Sequence, residues 1–171
     1  MQTKTAASLR VMAMGLTIFL TACGGGKSPD KPSNGAEPTV KASRIALDED
    51  TDVRGTDADH NGIRDDIDSF IDISGETPAR QAALRQLSAA LHQAVTTDVA
   101  QTVALKITAG QLNLAIACMW DRFDARQAPT QVTRMEALTA NTKERSRAYE
   151  AYNKAVSGMS FPLPKGNGCA Q

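Results

Sequence analysis

The sequence predicts an all-α fold, a small helical bundle of about four helices preceded by a disordered tether and an acidic loop. Apolar residues recur three and four positions apart over most of the chain after residue 66, which is the spacing of one helix face. No stretch alternates apolar and polar residues over a useful length, as a half-buried strand would. Glycine and proline interrupt the apolar stripes where helices are expected to end.

The first segment has the composition of an export signal. Lys4 and Arg10 supply positive charge, and the apolar run over residues 11–20 is too short to span a bilayer comfortably. The run ends in Leu20-Thr21-Ala22-Cys23, which resembles the lipobox of bacterial lipoproteins at all four positions. The resemblance implies cleavage before Cys23, lipid on its sulfur and amino group, and the membrane as a partner through that lipid.

This resemblance divides the chain into three parts. Residues 1–22 are the predicted lipoprotein signal peptide, 23–45 the lipidated cysteine and flexible tether, and 46–171 the acidic loop with the helical domain. Gly24 stands where an aspartate favours inner-membrane retention in enterobacteria, so the resemblance implies a cell-envelope protein on the outer membrane, facing the periplasm. An ordinary cleaved signal with a coincidental cysteine is the alternative.

Charge and cysteine content fit an envelope protein. The chain has 19 basic and 19 acidic residues, and removal of the signal leaves 17 against 19, too balanced to predict a nucleic-acid partner. The two other cysteines, Cys118 and Cys169, are expected to form a disulfide, since thiols in an exported protein usually pair. Such a bond would hold the Gly/Pro-rich segment from Phe161 onward against the helices. Two separate buried thiols are the alternative.

The helices are predicted from their apolar stripes. Ile67, Phe70 and Ile71 indicate a short helix that Gly75 can end. Thr77 then suits the N-cap and Pro78 the first position of a second helix, which is expected to run to about Thr97. Its stripe comprises Leu84, Leu87, Leu91 and Val95.

Two longer apolar runs follow. Asp98 is expected to cap the first run. Gly110 interrupts it, so the run forms either two helices or one kinked helix. Its apolar stripe comprises Val99, Val103, Ile107, Leu112, Leu114, Ile116 and Met119. Met119 and Trp120 are predicted to lie in the core beside the disulfide, and a ligand pocket there is the alternative. Gln127–Pro129 is predicted to interrupt the helical pattern, and the last helix is predicted to begin at Thr130. The last stripe ends before Gly158 and comprises Met135, Leu138, Thr142, Arg145, Tyr149, Tyr152 and Val156.

The residues with the clearest chemistry lie in the twelve-residue segment Asp57–Asp68. Its positions 1, 3, 5, 9 and 12 carry side-chain oxygens, and position 6 is Gly62. Ca²⁺ takes about six to eight oxygen ligands, which a short curled segment can supply. The segment resembles the EF-hand loop at its side-chain ligand positions. It resembles the shorter calcium loops of thrombospondin type 3 repeats and dockerins more closely.

The resemblance implies a Ca²⁺ cofactor and a specific ligand set. The implied ligands are Asp57, Asp59, Asn61, the carbonyl of Ile63, Asp65 directly or through water, and Asp68. Position 12 is aspartate where an EF-hand has a bidentate glutamate, and no convincing helix enters the loop, so a paired calcium sensor is not expected. The alternative is a solvated acidic turn in which Asp65 and Asp66 favour the dipole of the following helix.

Other polar groups leave alternatives open. Asp48, Glu49, Asp50 and Asp52 could form a second site, extend the first, or be a solvated acidic stretch. His60 and His92 could be a zinc pair, although solvent-facing histidines are more common. The mixed charged and aromatic face that carries Asn141–Arg145 and Tyr149–Tyr152 is expected to be an ordinary amphipathic surface, and it becomes a partner site if the tyrosines are exposed.

No catalytic constellation is present in the sequence, which predicts that the protein is not an enzyme. The favoured function is a lipid-anchored, calcium-binding envelope protein in which calcium is structural and the domain is a binding or scaffold module for a protein partner. One alternative is an immunity or enzyme-inhibitor lipoprotein. Another is an enzyme with an unrecognised site.

Overall fold

A computed structural model describes residues 45–162 and 164–170. They form five helices and no strand: α1 Asp65–Asp72, α2 Pro78–Thr96, α3 Thr102–Arg122, α4 Gln127–Thr139 and α5 Lys143–Val156. The all-α prediction is confirmed, with one helix more than the four expected. The predicted signal peptide, Cys23 and the tether up to residue 44 lie outside the described residues.

The first two helices follow the predicted pattern. Gly75 has a φ of +73° and lies between α1 and α2, in the left-handed region that glycine tolerates best. Thr77 is the N-cap residue of α2 and Pro78 its first residue, where the missing proline N–H costs no helical hydrogen bond. The helix ends one residue before the expected Thr97.

The third helix is continuous through Gly110, so the two-helix alternative is wrong. It also begins later than expected, because Gln101 is its N-cap residue. Asp98 instead accepts a hydrogen bond from the backbone N–H of Ala100 at 3.0 Å, which closes a separate turn before the helix. Asp98 therefore shapes the connection between α2 and α3 and does not cap α3.

The fourth and fifth helices were predicted as one, and the break before Thr130 was misplaced. The carboxylate of Asp124 accepts hydrogen bonds from the backbone N–H groups of Arg126 and Gln127. The helix α4 therefore begins at Gln127, before the predicted start at Thr130. Pro129 falls in its first turn, where N–H groups have no helical partner. Thr142 caps α5 by accepting from the N–H of Arg145 at 3.3 Å.

The buried apolar residues form two clusters. The first joins α1, α2, α3 and α4 and includes Ile71, Leu87, Met119 and Met135. The second lies where the end of α2 meets the start of α3 and the second half of α5, and it consists of Ala94, Leu105, Ala109 and Tyr152. Trp120 is 51% exposed, so its predicted core position is wrong; it is turned about 100° around α3 from the buried Met119.

The predicted disulfide joins Cys118 of α3 to Cys169. Closing a loop of 51 residues contributes about 4 kcal/mol in the chain-entropy model. Gln86 adds two hydrogen bonds to the same segment, by donating to the Gly168 carbonyl and accepting from the Ala170 N–H. The C-terminal segment is thus held on the helices. Within the range 42–171, the described residues form a compact unit that contains both core clusters and the disulfide.

Candidate metal centre

The acidic loop Asp57–Asp68 turns through hydrogen bonds between its own side chains and backbone. Asp57 accepts from the N–H groups of Asn61 and Gly62 at 3.1 and 3.0 Å. Asp59 accepts from the Asn61 N–H at 3.2 Å. The backbone is left-handed at His60, with φ +59°, and at Gly62, with φ +83°. The carboxylates of positions 1 and 3 are therefore fixed by contacts that span only a few residues.

Three of the six predicted ligands come together in this turn. Asp57, Asp59 and Asp65 each place a carboxylate oxygen within 4.8 Å of the others. Asp65 is the first residue of α1 and also accepts from the Ala58 N–H at 3.0 Å, which ties the helix to the start of the loop. Three like charges at this separation repel one another, and a cation between them would remove that repulsion.

The other side-chain ligands adjoin this cluster. The amide nitrogen of Asn61 donates to Asp59 at 3.0 Å and to Asp68 at 2.6 Å. Its amide oxygen accepts from the Ile63 N–H at 2.8 Å and has a second lone pair that could bind a cation. Asp68 also accepts from Nε of Arg85 at 2.8 Å. Asp68 therefore already has a positively charged partner.

The backbone after the turn is fixed in the core. Ile63, whose carbonyl is the remaining predicted ligand, is 4% exposed and belongs to the first core cluster. Arg64, the next residue, is 1% exposed. Its guanidinium pairs with both carboxylate oxygens of Asp66 and donates to the carbonyls of Leu138 and Thr139 at the end of α4. Carbonyls in the last turn of a helix have no helical N–H partner, and the Arg64 guanidinium donates hydrogen bonds to these two instead.

A second buried arginine holds the earlier acidic segment, residues 48–55. Arg145 of α5 is 0% exposed. It donates to the Asp48 carbonyl at 2.5 Å, to the Asp48 carboxylate at 3.1 Å and to the Asp52 carbonyl at 3.0 Å. The sequence placed Arg145 on an ordinary helix surface, and that interpretation is wrong. Neither arginine was recognised as a buried anchor, because nothing local in the sequence marks it.

The acidic side chains of residues 48–55 also organise their own backbone. Asp48, Asp50 and Asp52 each accept a hydrogen bond from the N–H two positions later, at 2.8, 3.1 and 3.0 Å. Asp48 further accepts from the Thr56 N–H at 2.9 Å. Burial opposes ionisation of Asp48, but the Thr56 and Asp50 N–H groups and Arg145 outweigh it and lower its pKa to about 2.

The histidines lie apart from the carboxylate cluster. His60 is exposed, and its Nδ1 is 3.0 Å from the Ala58 carbonyl. His92 is half-buried on α2, and burial lowers its pKa. Within the described residues, the acidic group that could hold a metal includes neither histidine. The donor atoms in the cluster are thus all oxygen, which suits a hard cation such as Ca²⁺ better than Zn²⁺.

Tyr152 of α5 is buried and Tyr149 is partly buried, so neither has the exposure that a tyrosine partner site requires. Tyr152 is 1% exposed and lies in the second core cluster. The hydroxyl of Tyr149 donates to Glu136 at 2.8 Å, and burial together with that carboxylate raises the Tyr149 pKa. The aromatic face of α5 therefore packs within the domain.

Comparison with known proteins gives no relative: no protein-family model, no curated protein and no solved structure matches the chain.

Proposed function

We propose that this chain is a lipid-anchored envelope protein whose helical domain is stabilised by one Ca²⁺ ion and acts as a non-catalytic binding or scaffold module. The observation that carries the calcium part is the convergence of the Asp57, Asp59 and Asp65 carboxylates within 4.8 Å. Asn61 and the Ile63 carbonyl complete the ligand set together with water, and Asp68 joins it if it exchanges Arg85 for the ion. Six to eight oxygen ligands are then within reach.

Calcium in this proposal is structural. The loop leads directly into α1, and Arg64 fixes its end to α4, so an ion that orders the loop stabilises the contact between these elements. Binding to the folded state alone contributes about 2.7 kcal/mol at a concentration one hundred times Kd. For a domain of this size that corresponds to a rise in Tm of roughly 10 °C.

Membrane attachment rests on the Leu20-Thr21-Ala22-Cys23 sequence. Lipid on Cys23 supplies the anchor, and several acyl chains at about 0.8 kcal/mol per buried methylene give stable attachment. The Gly- and Ser-containing segment that follows is a tether in this proposal. A span of about 20 such residues has a mean end-to-end distance of roughly 25 Å, which lets the domain reach a partner away from the bilayer.

Titration calorimetry of residues 42–171 with Ca²⁺ tests the metal centre. The Asp57→Ala plus Asp59→Ala variant is expected to lose the binding heat and the calcium-dependent rise in Tm, because two of the three clustered carboxylates are gone. Glu49→Ala plus Glu150→Ala is the matched control, since it removes the same charge from exposed positions outside the cluster. Equal heats in the wild type and the cluster variant would refute the proposed centre.

A further inference from the structure

The outer face of α3 exposes an apolar stripe. Val103, Ile107 and Leu114 are 73%, 57% and 39% exposed, and their spacing places them on one side of the helix. The mean hydropathy of α3 is 1.3 over its most apolar 18 residues, yet only 33% of that stretch is buried. The helix thus carries more apolar surface than its contacts with the core require.

The C-terminal segment forms a groove along this stripe. Met159 and Phe161 pack against the second core cluster, and the Cys118–Cys169 disulfide holds the end of the segment. The space between the segment and α3 is about 890 Å³, within the range of small-molecule sites. Ile107 and Leu114 lie on its helical wall, which extends about 10 Å between them.

The charges of the groove have one sign. Among the described residues that line it, Lys106 and Lys165 are the only charged ones, and both are exposed. Neither lysine forms an ion pair within the part of the chain that the structure describes. A ligand that fits this groove is therefore largely apolar and carries a negative charge.

We propose that the groove binds a single-chain anionic amphiphile, a fatty-acid carboxylate, with its alkyl chain against Ile107, Gly110, Leu114 and Phe161 and its headgroup at the lysines. An alkyl chain brings no polar backbone into the apolar groove, whereas an extended peptide brings an N–H and a carbonyl at nearly every residue. A second copy of the chain is disfavoured, since a two-fold interface places the same patch against itself and gathers the lysines of both copies. The proposal is independent of the metal centre and goes beyond the proposed function.

Calorimetry of residues 42–171 in EDTA tests the ligand class with monomeric probes. Dodecanoate is expected to bind, and decanoate to bind more weakly by up to about fourfold for each methylene removed. Dodecyltrimethylammonium, with the same chain and the opposite charge, is expected to bind at least about tenfold more weakly, because it meets lysines and no carboxylate.

Gly110→Leu tests the location of the ligand. No atom lies within 4 Å of a Cβ built at Gly110, and Gly110 lines the groove, so the new side chain leaves the backbone into open space at the groove wall. Leucine also favours the helix over glycine, and the variant is expected to fold with an unchanged or higher Tm while losing dodecanoate binding. Lys106→Glu plus Lys165→Glu is expected to weaken dodecanoate at least about tenfold. Lys154→Glu, an exposed site on α5, is the charge control and is expected to bind normally.

Several results would overturn the proposal. Undetectable binding of millimolar dodecanoate excludes the ligand class, and unchanged affinity in Gly110→Leu excludes the groove. Equal affinity for dodecanoate and dodecyltrimethylammonium would show that the lysines do not contribute to binding. Adsorption to phosphatidylglycerol vesicles without binding of monomeric dodecanoate identifies a membrane-docking face, and a wild-type dimer that Gly110→Leu converts to monomer identifies a second copy as the occupant.

Discussion

Replacing Arg145 with methionine is expected to be the most destabilising single change in the anchor of the acidic segment, residues 48–55. The guanidinium is 0% exposed and makes three hydrogen bonds to Asp48 and Asp52 and a fourth to Asn141. Methionine fills a similar volume but supplies no donor. The variant leaves the largely buried Asp48 carboxylate, whose side chain is 14% exposed, without its positive partner.

The structure sets the expected magnitude. Removing one partner of a buried ion pair costs about 3–5 kcal/mol, a large part of the 5–15 kcal/mol typical of a domain. The stability that Asp48 contributes through the Thr56 and Asp50 N–H groups and Arg145 also depends on pH. Because the folded-state pKa of Asp48 is lowered to about 2 from 3.8, its ionisation contributes stability that is present above pH 4. That contribution, about 2 kcal/mol in full, is lost as the pH falls from 4 through 2, with about 1 kcal/mol gone by pH 3.

Urea unfolding of residues 42–171 at pH 7 and pH 3, in EDTA, measures both quantities. Arg147→Met is the matched control, since Arg147 is an exposed arginine on the same helix, and it is expected to change the unfolding free energy by less than about 0.5 kcal/mol. In a double-mutant cycle, Arg145→Met and Asp48→Asn together are expected to cost about 1–3 kcal/mol less than their sum.

Two outcomes would refute this reasoning. One is a cost of less than about 1 kcal/mol for Arg145→Met at pH 7, which would mean that the guanidinium is not an anchor. The other is the same loss of stability between pH 7 and pH 3 in the wild type and in Asp48→Asn, which would mean that Asp48 does not carry the acid dependence. An unchanged dependence on urea concentration confirms that each variant unfolds from the same compact state.

Three further substitutions test the packing of the acidic segment, residues 48–55, and the lipid anchor. Gly55→Ala is expected to cost about 3 kcal/mol, because Gly55 has φ +66° and a Cβ there would lie 2.6 Å from Cδ of Arg64 and 2.8 Å from the carboxylate of Asp48. Gly75→Ala is strained by φ +73° but meets no atom within 4 Å, so it is expected to cost about 1 kcal/mol; equal costs in urea unfolding would contradict the crowding at Gly55. Cys23→Ser in the full chain is expected to move the protein from the membrane to the soluble fraction of the cell envelope, and retention on the membrane would contradict the lipid anchor.

The sequence predicted those helices whose limits are set by local chemistry. Gly75 was predicted to follow the end of α1 and Pro78 to begin α2, and the structure has both helix limits there. The break between α4 and α5 was missed because Leu138 and Tyr149, on either side of it, pack against the same core cluster. The apolar repeat therefore continues through a turn in the backbone. Thr142 carried the signal for that turn, as a capping residue within an otherwise helical pattern.

The carboxylate cluster was also predictable, whereas its supports were not. Asp57, Asp59 and Asp65 are brought together by hydrogen bonds that span at most seven positions. The contacts of Arg64 with α4 span 74 and 75 positions, and those of Arg145 with Asp48 span 97. Residue spacing reports local turns, but it gives no indication of which distant carbonyl a buried arginine will reach.

The two acidic segments differ in which positive charges pair with their carboxylates. In residues 48–55 the positive charge comes from the chain itself, because Arg145 donates to the Asp48 carboxylate and to two carbonyls of that segment. In the following loop, Arg64 pairs with Asp66 and Arg85 with Asp68 and Asp72, and within the described residues no arginine or lysine pairs with the three clustered carboxylates. In the proposed function a cation from solution removes their mutual repulsion, and this contrast is the strongest physical reason to seek calcium at the second segment and not at the first.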